Sequence, residues 1–197
     1  MDFKIASRKD VYRYSLFPHA EKSIVISATD RFSPPAKIIQ APDYNGIYAT
    51  KRVKFNDVFA ETPYAMKVSD AKKIADFIKK HKVHKFDLII VNCEMGVSRS
   101  AGICAAIMRY YGEDYTKIFR SKNFKPNMHC FNLMCIELGV PVSKEELDDL
   151  ESLNRKTWKS KTKFENFVFC VHAIKTANIS HVIRHLKIKK AERNIKK

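Results

Sequence analysis

The sequence is short of the features that mark membrane, secreted and metal-binding proteins. No run approaches the roughly 18 consecutive apolar residues of a membrane-spanning helix, and the first residues lack the basic-then-apolar pattern of a signal peptide. The five cysteines form an odd set without a C-x-x-C pair, and the histidines show no ligand spacing with cysteine or carboxylate. We therefore expect reduced thiols, no metal, no cofactor, no membrane span and a cytoplasmic location.

Internal repeats and low-complexity linkers are also absent, and acidic residues become rare toward the C-terminus. The 197 residues carry a net charge of +16, and from Arg155 to Lys197 13 Lys and Arg face two Glu, which places +11 in the last 43 residues. Apolar residues recur there at helical spacing, with basic residues on the rest of each turn. We predict a body, residues 1–142, followed by a basic helical C-terminal extension, residues 143–197.

This extension fits three roles. Its helices pack on the body with a solvated basic face, or bind an anionic partner such as nucleic acid, a phosphorylated protein or an acidic surface, or bind a membrane surface. A capping box from Ser143 to Glu146 indicates that the extension opens with a helix.

The body alternates strand-like and helix-like segments. Apolar, β-branched runs predict strands at 22–28, within 47–55 and at 86–91, and the last run is apolar enough to be buried on both faces. Apolar residues three or four apart predict a helix over 67–82. Further helices are predicted from Arg99 to Gly112, over 113–122 and over 127–138. The pattern is typical of an α/β fold with a central, mostly parallel sheet flanked by helices.

Five residues separate Cys93 from Arg99, between the predicted buried strand and the following helix. Such a loop turns backbone N–H groups inward beside the positive end of a helix, which suits a phosphate dianion, and Gly96 permits close backbone approach. Arg99 can bind two phosphate oxygens through its planar guanidinium, and the same donors favour Cys93 as a nucleophilic thiolate. The predicted phosphate-binding residues are Glu94, Met95, Gly96, Val97, Ser98 and Arg99.

The run from Cys93 to Gly102, C-E-M-G-V-S-R-S-A-G, matches a known pattern. It resembles the CX5R signature loop (P-loop) of the cysteine-dependent protein tyrosine and dual-specificity phosphatases, and is most similar to compact bacterial and phage versions. The similarity extends from about Ser23 to about Gly139. It implies a phosphatase-like fold and a phosphorylated protein substrate. It also implies that phosphotyrosine, and phosphoserine or phosphothreonine, are hydrolysed through a phosphocysteine intermediate.

The resemblance also implies an aspartate general acid some thirty-odd residues before the cysteine. Asp57, 36 residues before Cys93, lies at that place. The chemistry requires such a donor, because an alkoxide or phenolate leaving group needs a proton. The alternatives are that Asp57 is a turn or cap residue and that the acid is Asp43, Asp70, Asp76 or Asp87.

Three further residues are placed by the resemblance. Ser100 would hydrogen-bond the sulfur of Cys93 and help it to leave, or would simply cap the helix. Asn127 matches a position that supports the site, and it is equally a helix N-cap. Asn92 stands where many members carry histidine, and although asparagine can still hydrogen-bond, this departure puts the turnover rate in question.

Three functions are consistent with these residues. The first is dephosphorylation of phosphoproteins, with Cys93, Arg99, Asp57 and Ser100 as catalytic residues. The second is hydrolysis of RNA 5′-phosphates, which the same loop can perform and the basic extension would favour. The third is a phosphate-binding interaction module with little turnover, for which Asn92 is the only indication. The complete set of cysteine, arginine and acid favours an enzyme.

Overall fold

Four parallel strands form the central sheet of the protein. In the computed structural model, which describes residues 1–59 and 61–158, these strands are β1 (Asp2–Ser7), β2 (Ser23–Thr29), β3 (Ile47–Lys54) and β4 (Leu88–Cys93). Their order in the sheet is β1-β4-β2-β3. Parallel pairing puts the carboxyl ends of all four strands at one edge of the sheet. The predicted α/β fold with a parallel sheet is confirmed.

The helices connect and cover these strands. They are α1 (Arg8–Ser15), α2 (Pro42–Asn45), α3 (Val68–His81), α4 (Arg99–Tyr110), α5 (Thr116–Arg120) and α6 (Met128–Leu138). The helix predicted over 67–82 corresponds to α3, in which the apolar residues at spacings of three and four from Ala71 to Ile78 are buried, while Val68 at its start is exposed. Residues 144–158 are also helical, and the Ser143 hydroxyl accepts a hydrogen bond from the backbone N–H of Glu146, as in the predicted cap.

Apolar side chains cover both faces of the sheet. On one face, α3, α4 and α6 enclose the larger core together with residues of β2 and β4. On the other face, Val11 of α1 packs with Val25 of β2 and Ile90 of β4. Strand β4 lies between β1 and β2, and five of its six residues are buried. This burial on both faces explains why its sequence is almost continuously apolar.

Strand β1 and helix α1 were not predicted. Strand β1 is part of the sheet, and α1 packs on one face of it. Every residue of β1 pairs with β4, from Asp2 with Leu88 to Ser7 with Cys93. Only Ala6 of β1 is fully buried, because β1 is an end strand of the sheet. Ser7 caps α1 by accepting a hydrogen bond from the backbone N–H of Asp10. The two elements bring the Ser7 region to the same edge as Cys93.

The helix that begins at residue 144 packs on the rest of the body. Its Leu150 is buried, and Asn154 Nδ2 donates to the carbonyl oxygens of Phe119 and Phe124, each at 3.2 Å. Arg109 of α4 donates to Glu146 at 2.6 Å. The chain forms one compact unit over Met1–Arg155, and most of the second unit, Lys156–Lys197, lies outside the described residues. The division at 142/143 and the role of the basic extension stay predictions.

No helix in the described part of the chain combines the length and the apolar character needed to cross a membrane.

Candidate active site

The loop from Cys93 to Arg99 joins the carboxyl end of β4 to the start of α4. Cys93 is the last residue of β4, and Arg99 is the first of α4. The predicted arrangement of buried strand, loop and buried helix is therefore present. An anion in this loop would meet both the backbone N–H groups of the turn and the N-terminus of a 12-residue helix.

Gly96 is required by the shape of this loop. Its φ is +69°, a left-handed conformation that residues with a Cβ rarely adopt. A Cβ at this position would also lie 2.6 Å from the carbonyl carbon of Ala6 and from the backbone nitrogen of Ser7. The end of β1 therefore forms a wall directly behind the loop, and only glycine leaves room for it.

Cys93 and Ser100 contact each other beneath the loop. The Cys93 Sγ lies 3.1 Å from the Ser100 Oγ, and both residues are buried. This is the contact that the resemblance implied for Ser100, whose hydroxyl makes no capping hydrogen bond; Ser98 occupies the N-cap position of α4. Burial raises the pKa of Cys104 and of Cys135 to about 12, and it raises the pKa of Cys130 as well. Those three cysteines therefore stay protonated thiols near neutral pH.

The Arg99 guanidinium is buried and held from two sides. Its Nη1 donates to the carbonyl oxygen of Phe55 at 2.8 Å and lies 3.0 Å from Asp30 Oδ1. Its Nε lies 4.0 Å from Asp57 Oδ2, which is too long for a hydrogen bond, and has no hydrogen-bond partner among the described residues. The side chain is only 3% exposed. Two acidic groups and one carbonyl thus fix the guanidinium beside the loop.

Asp57 is the predicted acid that lies next to the loop. Its Oδ1 accepts hydrogen bonds from Ser98 Oγ and from Asn127 Nδ2, both at 2.9 Å, and its side chain is 33% exposed. Three of the alternative aspartates are engaged elsewhere. Asp70 accepts from the backbone N–H of Lys67, Asp76 lies 3.8 Å from Lys72, and Asp87 accepts from the backbone N–H of Lys22. Asp43 lies in the short helix α2.

Asn127 performs both of the tasks that its sequence context suggested. Its Oδ1 accepts a hydrogen bond from the backbone N–H of Cys130 at 3.0 Å, which caps α6. Its Nδ2 donates to Asp57 Oδ1 and to the carbonyl oxygen of Val58, each at 2.9 Å. Gly102 allows this proximity, because a Cβ on it would lie 2.4 Å from the Asn127 carbonyl oxygen. One side chain thus links α6 to the segment that carries Asp57.

Asn92 behaves differently from the expectation that it would hydrogen-bond. The residue is fully buried, and neither its Oδ1 nor its Nδ2 has a hydrogen-bond partner in the described ranges. Ser27, its register partner on β2, also has a buried hydroxyl without a partner among these residues. An unsatisfied buried polar group costs about 1–3 kcal/mol. This pair of polar side chains lies on the strands directly before the loop.

The outer surface of the loop is formed by Glu94 and Met95. Glu94 does not present an unpaired charge, because Arg8 Nη1 lies 2.9 Å from its Oε1 and the Arg8 backbone N–H donates to its carbonyl oxygen at 3.1 Å. Arg8 also donates through Nη2 to the carbonyl oxygens of Pro34 and Pro35. Met95 is 76% exposed. Arg8 thus offsets the negative charge that Glu94 brings to the outer surface of the loop.

Sequence reasoning did not identify Asp30 or Arg8 as residues of this region. Asp30 directly follows β2, which neighbours β4 in the sheet, so the two strand ends lie side by side. An aspartate just after a predicted parallel strand is the signal that could have identified it. Arg8 follows β1, which was not predicted, and the sequence carried no comparable signal for it.

A group of three or more histidine, cysteine, aspartate or glutamate side chains able to hold a metal ion does not occur in the part of the chain that the structure describes.

The parallel sheet thus carries a cysteine at the end of a central strand, with five residues between it and an arginine at the start of the next helix, which is the CX5R spacing. No protein-family model matches the chain, and no curated protein matches its sequence. Solved structures do match its fold, and they include the phosphatases described next.

A variant of human DUSP28 matches with a TM-score of 0.41 and 17% identity, over 81% of this chain and 92% of that chain. A mouse dual-specificity phosphatase complexed with zinc tungstate gives a TM-score of 0.41 and 15% identity, over 81% and 86% of the two chains. PTPMT1 in complex with PI(5)P gives 0.36 and 13%, over 81% and 94%. Each of these matches is a likeness of fold.

Proposed function

We propose that this protein is a phosphomonoester hydrolase that works through a phosphocysteine intermediate. The observation that supports this most strongly is that one loop brings together Cys93, Arg99 and Ser100, with Asp57 hydrogen-bonded to the same loop through Ser98. These are a nucleophile, a phosphate-binding cation, a hydrogen-bond donor to the sulfur and a proton donor, which is the complete set that the reaction needs.

In the first step, the phosphate monoester binds in the loop. Backbone N–H groups from Glu94 to Arg99 and the guanidinium of Arg99 bind its non-bridging oxygens, with Nε available as a donor. The Cys93 thiolate attacks phosphorus, so that a P–S bond forms while the P–O bond to the leaving group breaks. Asp57 donates its proton to the departing oxygen, and the products are phosphocysteine and a free hydroxyl compound.

In the second step, water replaces the sulfur. The Asp57 carboxylate accepts a proton from the attacking water, a new P–O bond forms, and the P–S bond breaks to release inorganic phosphate. The electron pair returns to Cys93 as a thiolate. Ser100 stabilises that thiolate by donating a hydrogen bond from its hydroxyl across the 3.1 Å contact. No step requires a redox change, because phosphorus and sulfur begin and end the cycle in the same oxidation states.

We propose phosphotyrosine in proteins as the main substrate, with phosphoserine and phosphothreonine as poorer ones. Exposed aromatic rings support this preference. Phe32 and Tyr64 are 81% and 48% exposed, and their ring centroids lie 6.0 Å apart. Phe32 lies two residues after Asp30, and Tyr64 lies on the segment that follows Asp57. The two segments are joined by a hydrogen bond from the Arg31 backbone N–H to Asn56 Oδ1. Aromatic side chains on the segments that follow Asp30 and Asp57 would favour an aryl leaving group through ring contacts.

The alternatives have less support. The basic extension would favour hydrolysis of RNA 5′-phosphates, but most of its basic residues lie in 159–197, outside the described residues. A phosphate-binding module without turnover would not need Asp57 held by two donors beside the loop.

Release of phosphate from an aryl phosphate in the presence of a chelator tests the proposal. Cys93→Ser should abolish turnover, and Asp57→Asn should lower it by about 10²–10⁴, the usual contribution of a general acid. Cys104→Ala and Asp76→Asn are the matched controls, since Cys104 is a protonated core thiol and Asp76 is an exposed residue of α3. No release by the wild-type chain, or full release by Cys93→Ser, would refute the proposal.

Substrate preference needs a separate comparison. Phosphotyrosine peptides should be hydrolysed faster than phosphoserine peptides of the same sequence and faster than 5′-triphosphate RNA. A strong preference for the RNA would replace our substrate assignment while leaving the chemical mechanism intact.

A further inference from the structure

A basic groove lies beside the candidate active site, and the proposed reaction does not use it. The groove has a volume of about 620 Å³ and is lined by the ends of β2 and β3 and by the first turns of α3. Its charged residues are Arg31, Arg52, Lys54, Lys73 and Asp70. We refer to it as the β3 groove. Four cations and one carboxylate give it a strong excess of positive charge.

Little in the described part of the chain neutralises this charge. Asp70 is the acidic residue in the lining; its Oδ1 lies 3.9 Å from Lys73, and its Oδ2 accepts the backbone N–H of Lys67. Arg52 and Lys54, both exposed, form no ion pair within the described residues. Positive groups gathered without counter-charges repel one another, and an anionic ligand would relieve that repulsion.

The strand register fixes how far the groove lies from the nucleophile. Asn92, the neighbour of Cys93, pairs with Ser27 of β2, and Ser27 pairs with Arg52 of β3. Arg52 is therefore two interstrand spacings from Asn92, which corresponds to about 10 Å between backbones. The two sites also share a wall: Asp30 contacts Arg99, and its chain neighbours Thr29 and Arg31 line the groove.

We propose that the β3 groove binds a second anionic group of the substrate, namely a carboxylate or phosphate side chain of a phosphopeptide. This inference rests on the proposed phosphatase function. An extended chain rises about 3.3 Å per residue, so a distance of about 10 Å corresponds to roughly three residues. The groove thus selects substrates with an acidic residue about three positions from the phosphorylated one. Exposed pairs with Arg52 and Lys54 would contribute through KM rather than kcat, because they lie away from the reacting atoms.

The composition of the groove favours a peptide over a phosphorylated lipid. Its lining is mostly charged, with Val53 and Pro35 as the apolar members, whereas an acyl chain needs continuous apolar surface. It also includes Arg52 and Lys54 of β3, which is an end strand of the sheet. Basic residues on an end strand also discourage strand pairing between molecules, so the test must separate substrate binding from that role.

The test compares three substrates and two variants of the full chain. The substrates are para-nitrophenyl phosphate, a phosphotyrosine peptide with glutamate three residues to either side, and the same peptide with alanine there. The test variant is Arg52→Gln with Lys54→Gln. The charge-matched control is Lys80→Gln with Lys85→Gln, two exposed lysines in the last turn of α3 and shortly before β4, at the opposite end of the sheet from Cys93.

The wild-type chain and the control should prefer the glutamate peptide by about tenfold in kcat/KM, as expected for two exposed ion pairs. In the test variant this preference should fall to near one through a higher KM, with para-nitrophenyl phosphate turnover unchanged. The preference of the wild-type chain should also shrink as salt is raised. An equal preference for the glutamate peptide in the wild-type chain, the control and the test variant would overturn the proposed role of the groove. Aggregation of the test variant with an unchanged preference would also overturn it, because the basic residues would then only prevent strand pairing between molecules.

Two readouts separate this inference from the proposed function. If para-nitrophenyl phosphate is not hydrolysed at all, the phosphatase proposal fails, and fluorescence anisotropy of the two peptides on the Cys93→Ser chain still tests the groove. Weaker binding of the glutamate peptide after the Arg52 and Lys54 substitutions supports it, and unchanged binding overturns it. Faster hydrolysis of phosphatidylinositol phosphate vesicles than of the glutamate peptide would also overturn it, by assigning the second anion site to a lipid headgroup.

Discussion

Replacing Asn127 by serine should slow the reaction without removing the cap of α6. Serine is a good N-cap residue, so it keeps an acceptor for the Cys130 backbone N–H, but it has no group that can replace Nδ2. The two hydrogen bonds from Nδ2 to Asp57 and to the Val58 carbonyl oxygen, each 2.9 Å long, would be lost. At about 1 kcal/mol each, the variant should lose about 2 kcal/mol of unfolding free energy.

The activity of the Asn127 variant should depend on the leaving group, because the side chain acts by positioning Asp57. A phenyl phosphate with a basic leaving oxygen needs the proton more than para-nitrophenyl phosphate does. We expect kcat/KM to fall by about 10- to 100-fold for phenyl phosphate and only slightly for the nitrophenyl ester. The loss for phenyl phosphate is a part of the rate enhancement of about 10²–10⁴-fold that a general acid supplies. Steady-state kinetics on both esters measure this, with urea unfolding for stability and Asn123→Ser, at an exposed asparagine, as the control.

A double-mutant cycle decides whether Asn127 acts through Asp57. In the Asp57→Asn chain the carboxylic acid is already absent, so adding Asn127→Ser should cause little further loss of activity. An equal loss in the two backgrounds, or an equal loss on both esters, would show that Asn127 supports the fold rather than the acid, and our assignment would be wrong.

Three other predictions concern the loop and the cysteines. Gly96→Ala should reduce aryl phosphate turnover at least 100-fold and lower the melting temperature, because the position combines a φ of +69° with a 2.6 Å approach to Ala6. Iodoacetate at neutral pH should alkylate Cys93 before Cys104, and inorganic phosphate should slow the reaction, as followed by peptide mass spectrometry. Above about pH 9 the unfolded chain loses the Cys104 proton, whereas the folded chain, with a pKa of about 12, keeps it. Stability should therefore fall as pH rises, by about 1.4 kcal/mol per pH unit from this thiol, and urea titrations of Cys104→Ala should show a correspondingly smaller slope.

The helices and strands around the loop could be predicted because the burial of each one determines a local pattern of apolar residues in its sequence. Helix α3 buries one face, so its apolar residues recur every three or four positions. Strand β4 is covered on both faces, so its sequence is almost continuously apolar. The run predicted as a strand at 86–91 became Leu88–Cys93 because the pairing of β4 with β1 and β2 extends to the end of the apolar stretch and beyond it. Backbone pairing to Asn92 and Cys93 is a property of the neighbours, which the local pattern does not contain.

Contacts between distant segments were the part that the sequence could not supply. Asp30 reaches Arg99 only because β2 and β4 are adjacent, and this adjacency depends on the strand order. Strand β1 was missed because an end strand with one fully buried residue gives a weak apolar signal. Asp57 was predicted as the general acid because its distance from Cys93 in the sequence resembles that in the phosphatase family. Its hydrogen bonds to Ser98 and Asn127 could not be predicted, because they require three separate segments of the chain to meet.

The end of β1, which forms the wall behind the loop from Cys93 to Arg99, has a consequence for when the proposed activity should develop during folding. Arg8 and Glu94, which join that wall to the loop, are 86 residues apart in sequence. Such a contact closes a large chain loop, and its entropy cost is repaid only when β1 and β4 are already paired. Helices such as α3 can form from local interactions well before this. During refolding, helical circular dichroism should therefore recover ahead of phosphate-releasing activity, so that turnover reports completion of the sheet topology rather than helix formation.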